Sequence, residues 1–175
     1  MALTWSHAVL NVKNADRMLD FYTRILGFHI TDRGEIPGRG MEIVFLSQDP
    51  GEHHQLAMLP IRADEGSSNS LAHLAFRVGE MGELRDLVAR LKSEGVQMRP
   101  TSHGNTWSVY FQDPELNGIE IFRDTPWHVA QPQGKTWDLD VDDAALLAWT
   151  EAEFAGEPGF EPKADFHKRK AAEWG

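Results

Sequence analysis

An internal repeat is the feature that most limits how this chain can fold. Residues 6–12 read SHAVLNV and residues 72–78 read AHLAFRV, and each segment is followed by a helical pattern that stops at a glycine, Gly27 or Gly95. The two copies are offset by about 65 residues, which is enough for one supersecondary unit in each copy. The sequence therefore predicts two copies of one module, with His7 and His73 at equivalent places.

Each copy is predicted to have the order β-α-β-β-β. Alternating apolar residues indicate strands, apolar residues at helical spacing indicate the helix, and Gly, Pro, Asn and Asp mark the turns. In the first helix, Asn14 or Asp16 is the expected N-cap. The predicted strands are 3–12, 28–33, 41–47, 53–60, 71–78, 96–99, 108–112 and 118–123, and the predicted helices are 14–26 and 81–94. Glycine-rich or polar loops are expected at 34–40 and 61–70.

The expected architecture is an α+β fold in one domain, residues 1–123. Two tandem β-α-β-β-β modules, about 4–60 and about 71–123, would form one curved mixed sheet or half-barrel. Residues 124–175 are predicted to be a C-terminal extension with one helix, 142–154, and a loosely attached tail from Lys163 onward. The extension could be a packing appendage, a cover for the active site or a subunit contact.

Composition excludes several classes of function. The net charge of −10 argues against a surface for nucleic acid or anionic membranes. No run approaches the roughly 18 apolar residues of a membrane helix, and the N-terminus has no basic segment typical of a signal peptide. The absence of Cys excludes disulfides and thiolate sites and fits a cytoplasmic location. A soluble protein is expected.

Three residues form a candidate metal site. His7 and His73 lie in the first strand of each copy, and Glu120 lies in the last strand of the second copy, flanked by Ile119 and Ile121. Because neighbouring strand residues face opposite sides, the carboxylate is predicted to point away from an apolar face, where burial would require a cation. Two His and one carboxylate are a facial triad, which suits Fe(II) or Mn(II) and leaves coordination positions open.

The segment 101–122 brings a further group near Glu120. Asp113-Pro114 begins a turn and Asn117-Gly118 ends it, so the chain folds back and Tyr110 can lie beside Glu120 on the neighbouring strand. A single His in such a pattern is more often a core residue than a ligand. Two His at equivalent repeat positions, together with this carboxylate, favour a metal site.

The duplicated β-α-β-β-β pattern over residues 4–123 resembles the vicinal oxygen chelate superfamily, which includes glyoxalase I, fosfomycin-resistance proteins and type I extradiol ring-cleaving dioxygenases. Residues 101–120 are similar to the extradiol signature, through Thr101, His103, Val109-Tyr110, Asp113-Pro114 and Glu120. Leu116 departs from this signature, which usually has Gly or Pro at that position. The HxxA run before the second ligand is matched by His54 and Ala57.

The resemblance implies a role for each matching residue. His7, His73 and Glu120 would bind the iron, and His54 would act as base and then acid. Tyr110 would hydrogen-bond the substrate oxygen, with His103 orienting the same hydroxyl. These roles suit the residue types, since His titrates near neutral pH and Tyr donates without ionising. Strand alternation predicts that His53 points away from His54. The remaining histidines are expected at the surface: His29, His128 and His167.

The implied function is an Fe(II)-dependent extradiol dioxygenase of aromatic hydrocarbon catabolism, acting on a catechol-type diol and O₂. A glyoxalase-type isomerase would need another carboxylate in the last strand of the first copy, where this chain has Ala57. A binding protein would lack the ligand triad, and a fosfomycin-type thiol transferase would not need His54 or Tyr110. Exposed sheet edges suggest a homo-oligomer. The expected substrate pocket is lined by aromatic and apolar residues: Trp5, Phe45, Met58, Trp107 and Trp127.

Overall fold

The fold is described by a computed structural model that covers residues 5–36, 40–63 and 71–174. Its contacts divide into two compact units, one formed by residues 1–70 with 113–117 and the other by residues 71–112 with 118–175. Residues 3–4 of the first predicted strand, the tip of the predicted loop 34–40 and residues 64–70 of the second loop lie outside the described residues.

The first unit contains a four-stranded mixed sheet in the order β1-β4-β3-β2. β1 is parallel to β4, and the other pairs are antiparallel. Asn14 caps the first helix by accepting a hydrogen bond from the Arg17 N–H, 2.9 Å away, which selects it over Asp16. The elements are β1 (Ala8–Asn11), α1 (Ala15–Asp20) with a π-helical continuation (Phe21–Ile25), β2 (His29–Glu35), β3 (Glu42–Ser47) and β4 (Leu56–Leu59).

The second unit repeats this topology in a four-stranded mixed sheet of order β5-β8-β7-β6. β5 is parallel to β8, and β7 pairs antiparallel with both β8 and β6. A capping box between Glu80 and Glu83 starts the helix, which buries its apolar face. The elements are β5 (Leu74–Arg77), α2 (Met81–Ser93), β6 (Arg99–Ser102), β7 (Thr106–Gln112) and β8 (Gly118–Asp124).

The α+β prediction is confirmed. Each module contains one four-stranded mixed sheet. Several strand boundaries differ from the prediction, and one strand, β6, is displaced along the chain. The strand expected to end before Pro100 instead begins at Arg99 and continues through Pro100 to Ser102. β6 is an edge strand of its sheet, and an edge position tolerates a residue without an N–H donor.

The extension contains two helices, so the expectation of a single helix and a loose tail is wrong. α3 (Asp143–Phe154) agrees with the predicted helix, and α4 (Lys163–Trp174) occupies the expected tail. Two short strands, β9 (Trp127–His128) before α3 and β10 (Glu161–Pro162) before α4, pair antiparallel with each other. Local composition did not reveal α4 because its anchors are distant in sequence. The Lys163 ammonium lies 2.7 Å from an Asp124 carboxylate oxygen, and the Phe166 ring stacks on His128.

The turn between β7 and β8 is held by the buried side chain of Asp113. Its carboxylate accepts hydrogen bonds from the Glu115 and Asn117 N–H groups and from the Tyr22 hydroxyl. Burial raises the Asp113 pKa. Leu116 adopts a left-handed backbone with φ of 67°, a conformation that glycine adopts at lower cost. The predicted turn thus forms, with strain at the position that departs from the extradiol signature.

Within the described residues, no helix is long and apolar enough to cross a membrane.

Candidate metal and substrate site

Glu120 is the centre of the candidate site in the second unit. It lies on β8 between the buried Ile119 and Ile121, and its residue surface is only 8% exposed. Nε2 of His73 lies 3.2 Å from Oε2 of Glu120. The Tyr110 hydroxyl donates a hydrogen bond of 2.8 Å to Oε1. Both carboxylate oxygens therefore have a partner, as a buried carboxylate requires.

Sheet register produces this arrangement. Tyr110 on β7 lies directly opposite Glu120 on β8, and residues that face each other on neighbouring strands project from the same side of a sheet. His73 immediately precedes β5, which is parallel to β8 on its other side. The predicted proximity of Tyr110 and Glu120 is confirmed.

A chain of hydrogen bonds continues from Tyr110 to the extension. Nε2 of His103 lies 2.8 Å from the Tyr110 hydroxyl oxygen, and Nδ1 of His103 contacts the backbone carbonyl of Gln133. Burial, with a further contribution from Glu120, raises the Tyr110 pKa above its ordinary value. The phenol thus keeps its proton at neutral pH and can donate it in a hydrogen bond.

These side chains border a cavity of about 560 Å³ within the second unit. Its polar wall includes His73, His103, Tyr110 and Arg99. The Arg99 guanidinium carbon lies 4.8 Å from the centre of the Tyr110 ring, which is a cation–π geometry. A cavity of this size suits a small organic ligand.

His7 and His54 form a second cluster, in the first unit. Their ring centres are 4.3 Å apart. The Ser6 hydroxyl lies 2.9 Å from Nδ1 of His7, so Nε2 is the ring nitrogen left for a further partner. The His54 pKa is lowered, first by burial and then by the neighbouring His7 and His53. Neutral imidazole is therefore favoured at His54, as a group that accepts a proton requires.

The predicted opposition of His53 and His54 is wrong. Both residues precede β4, which begins at Leu56, so strand alternation does not apply to them. Their Nδ1 atoms are 2.9 Å apart, and both rings lie against Phe45. Nε2 of His53 also lies 3.5 Å from an Asp32 carboxylate oxygen.

The three predicted metal ligands belong to two clusters. His73 contacts Glu120, and His7 contacts His54. In residues 5–36, 40–63 and 71–174, no three His, Asp or Glu side chains are grouped so that they could hold a metal ion. The donor types nevertheless fit Fe(II) or Mn(II), since imidazole and carboxylate are suitable ligands for both. The short distance between Nε2 of His73 and Oε2 of Glu120 also fits two ligands of one ion.

The residues predicted to line the substrate pocket do not line the cavity of the second unit. Trp5 is 83% exposed, whereas Met58 is buried. The Trp107 indole N–H donates to the Thr150 hydroxyl on α3, which places this ring on the face opposite to Tyr110. Trp127 stacks on Phe160 in the extension.

The remaining histidines differ from one another. His29 and His167 are exposed, as predicted. His128 is half-buried and stacks on Phe166, so its assignment to the surface is wrong. Sequence reasoning also missed Arg99 and Gln133, because neither residue belongs to a local pattern that points to His103 or Tyr110.

Known proteins with similar sequences include dioxygenases of aromatic diols. The chain is 27% identical to biphenyl-2,3-diol 1,2-dioxygenase 2 of Rhodococcus globerulus, over 83% of each chain. It is 33% identical to biphenyl-2,3-diol 1,2-dioxygenase 3 of the same organism, over 66% of this chain and 60% of that enzyme. It is 28% identical to catechol-2,3-dioxygenase of Bacillus subtilis, over 86% of this chain. The chain spans only 49% of that last relative.

Other similar proteins have different activities. The chain is 27% identical to lactoylglutathione lyase of Neisseria meningitidis, over 67% of this chain and 88% of that enzyme. Among solved structures, a glyoxylase/bleomycin resistance protein/dioxygenase domain from Frankia sp. EAN1pec matches 73% of this chain and 96% of its own, with a TM-score of 0.62 and 24% identity. Similarity at that level establishes the fold alone.

A family model extends this similarity to both modules. It describes the Glyoxalase/Bleomycin resistance protein/Dioxygenase superfamily and matches residues 4–121. This range includes nearly all of both β-α-β-β-β copies and both histidine clusters, and it leaves the whole extension outside the match. The chain therefore belongs to the Glyoxalase/Bleomycin resistance protein/Dioxygenase superfamily.

Proposed function

We propose that this protein is an Fe(II)-dependent extradiol dioxygenase that cleaves the ring of a catechol-type aromatic diol with O₂. The observation that carries the proposal is the set of contacts around Glu120. His73 lies at one carboxylate oxygen and Tyr110 at the other, beside a cavity of about 560 Å³. The sequence similarity to three ring-cleaving dioxygenases supports the same reaction class.

In this proposal, His7, His73 and Glu120 would hold the metal. A bound Fe(II) would supply the electron chemistry between the diol and O₂, and Mn(II) suits the same donors. His73 and Glu120 contribute the pair of facing atoms in the second unit. His7 would contribute Nε2, because its Nδ1 contacts the Ser6 hydroxyl, and metal-binding His residues commonly hydrogen-bond through their other nitrogen.

Three other residues would position the diol and move its protons. Tyr110 keeps its phenolic proton and would donate a hydrogen bond to a diol oxygen. His103 contacts the Tyr110 hydroxyl and would hold it in place. His54 would remove a hydroxyl proton and later return it, a role that requires an imidazole able to change protonation state.

The glyoxalase alternative is less well supported by the sheet register. The position in the first module that corresponds to Glu120 is Ala57, since each lies across from an aromatic residue, Phe45 or Tyr110, on the neighbouring strand. Ala57 is fully buried and carries no ligand atom. A reaction that needs a carboxylate from each module would lack one of them.

The proposal is tested by loading the full-length protein with Fe(II) without oxygen and then adding air-saturated buffer and single catechols. Absorbance and an oxygen electrode follow the reaction, with catechol, 3-phenylcatechol and 3,4-dihydroxyphenylacetate as substrates. We expect oxygen uptake matched by a coloured ring-opened product. His29→Gln serves as the histidine control, because His29 is exposed and outside both clusters.

Retention of iron without oxygen uptake on any diol would contradict the proposal. Isomerisation of a thiol–aldehyde adduct, or thiol addition to fosfomycin, would then identify one of the alternative reactions. Assembly into a homo-oligomer stays a prediction, which sedimentation of the same sample checks.

A further inference from the structure

The C-terminal extension contacts His103 through a short segment, residues 129–135, here called the strap. Gln133 presents its backbone carbonyl to Nδ1 of His103. The Gln131 side-chain amide donates a 2.8 Å hydrogen bond to the backbone carbonyl of His103. Its oxygen accepts a 3.0 Å hydrogen bond from the Gln133 N–H. Gln131 therefore links the strap to the backbone of His103, and the ring of the same residue contacts the Gln133 carbonyl.

Two further features fix the strap beside His103. Ser102 and Lys135 exchange backbone hydrogen bonds of 2.7 and 2.9 Å. Gly104 has a φ of 78°, and a Cβ at this position would lie 2.4 Å from a methyl carbon of Val129. Glycine at position 104 is what allows this close approach, since contacts under 3 Å are sterically forbidden for a side chain. The strap is thus anchored at both ends.

The partner at Nδ1 determines where the His103 proton lies. A backbone carbonyl can only accept a hydrogen bond, so Nδ1 must carry a hydrogen to bond Gln133. In neutral imidazole the other nitrogen, Nε2, is then an acceptor. Nε2 faces the Tyr110 hydroxyl at 2.8 Å. The Tyr110 proton consequently has two acceptors in reach, Nε2 of His103 and Oε1 of Glu120.

We propose that the strap holds His103 in its Nδ1–H tautomer and thereby makes Nε2 of His103 a second acceptor, besides Oε1 of Glu120, for the Tyr110 hydroxyl proton. Gln131 is a positioning residue in this arrangement, since it acts through His103 and Tyr110. The extension, which lies outside the family match, thus has a defined effect on the candidate site. The tautomer stands on these contacts alone, whereas its consequence for catalysis rests on the proposed function.

The tautomer is tested by long-range ¹H–¹⁵N NMR of the full-length, metal-free protein at pH 8, with ¹⁵N-labelled histidine. His103→Gln assigns the signals by subtraction. In the wild type we expect a protonated Nδ1 and an unprotonated Nε2. Gln131→Ala removes the side-chain amide with its hydrogen bonds to His103, Val129 and Gln133, and is expected to shift the His103 signals toward the Nε2–H form. Gln131→Glu keeps an acceptor for the Gln133 N–H but loses the donor to His103, and is expected to shift them in the same direction.

Gln133→Ala is the matched control on the same strap. It keeps the backbone carbonyl that faces His103 and removes a side chain that contacts Ala130 and Glu157 instead. Its His103 signals should match the wild type. A proton on Nε2 of wild-type His103, alone or together with one on Nδ1, would overturn the proposal. Unchanged signals in Gln131→Ala would also overturn it.

A kinetic arm tests the consequence for catalysis. Gln131→Ala should lower kcat by about 3–10-fold with unchanged iron content, the range that the net contribution of one hydrogen bond gives. In a Tyr110→Phe background, Gln131→Ala should cause no further loss, because the hydroxyl that it positions is absent. A full additional loss in that background would contradict the coupling. Wild-type inactivity on diols would refute the proposed function and leave the NMR result to decide the tautomer.

Discussion

The two modules have the same strand pairing but different chemistry at equivalent positions. His7 directly precedes β1 and His73 directly precedes β5, and each of these strands is parallel to the last strand of its own sheet. At the corresponding position of that last strand, the first module has Ala57 and the second has Glu120. The duplication therefore repeats the histidine but not the carboxylate, which leaves two His and one acid.

The neighbouring strands differ in the same way. Phe45 lies across from Ala57, whereas Tyr110 lies across from Glu120. One strand further, Phe45 is paired with Asp32 and Tyr110 with Arg99. The first module thus pairs the Phe45 ring with the acidic Asp32. The second pairs the Tyr110 phenol with the positively charged Arg99. The two modules therefore share strand pairing but carry different side chains at equivalent positions.

The largest effect is expected at His54, the proposed acid–base residue of the first module. His54→Phe should lower kcat by about 100-fold or more, in the range typical of general acid–base groups. Iron content and diol binding should stay near the wild type, because His54 is not among the proposed ligands. Steady-state kinetics with metal analysis measure this, and His29→Phe controls for histidine loss. Turnover near wild type would show that His54 is not the acid–base residue.

Tyr110→Phe makes the second module resemble the first at this position. We expect kcat to fall by about 10–100-fold, because one donor to a reacting oxygen is lost. The aromatic ring and its contact with Arg99 remain. The iron content should be preserved, because Tyr110 is not among the proposed ligands. Stopped-flow absorbance of the ring-opened product measures the change. An unaltered kcat would mean that the hydroxyl only satisfies Glu120.

The charge difference between Arg99 and Asp32 predicts a smaller effect on substrate choice. Arg99→Gln should raise KM for 3,4-dihydroxyphenylacetate by about 3–10-fold and leave catechol nearly unchanged, because guanidinium groups bind carboxylates. Arg33→Gln, an exposed change on the equivalent strand of the first module, is the control. Equal KM changes for both diols would show that Arg99 does not contact the acidic substituent.

The smallest effect concerns the two Asp-Pro turns, one in each module. Asp49 accepts a hydrogen bond from the Gly51 N–H, and Asp113 accepts one from the Glu115 N–H. Only the second turn contains a leucine with a left-handed backbone conformation, Leu116. Leu116→Gly should therefore raise the free energy of unfolding by about 0.5 kcal/mol, the left-handed penalty less the glycine entropy cost.

Urea unfolding measures this change. Leu147→Gly is the matched control, because Leu147 is also partly exposed but lies within helix α3. That variant should be destabilised by about 1 kcal/mol, the usual cost of glycine inside a helix. A destabilising effect of Leu116→Gly would show that the left-handed backbone carries no net strain.

The repeat and the Tyr110–Glu120 proximity were predictable, because they follow from local periodicity and one turn. The His103 environment was not, since the Gln133 carbonyl comes from a segment 30 residues later. The same holds for α4, whose anchors Lys163 and Phe166 have partners in β8 and β9. The position of His53 was mispredicted because the strand rule was applied to residues that form a turn.

The most direct test of the central claim is anaerobic Fe(II) binding by four single variants of the full-length protein. His7→Ala, His73→Ala and Glu120→Ala each remove a proposed ligand, and His29→Ala removes an exposed histidine. We expect the wild type and His29→Ala to bind one iron per chain, and the other three variants to lose most of it. Retention of wild-type iron by His7→Ala would contradict a metal centre built from both modules.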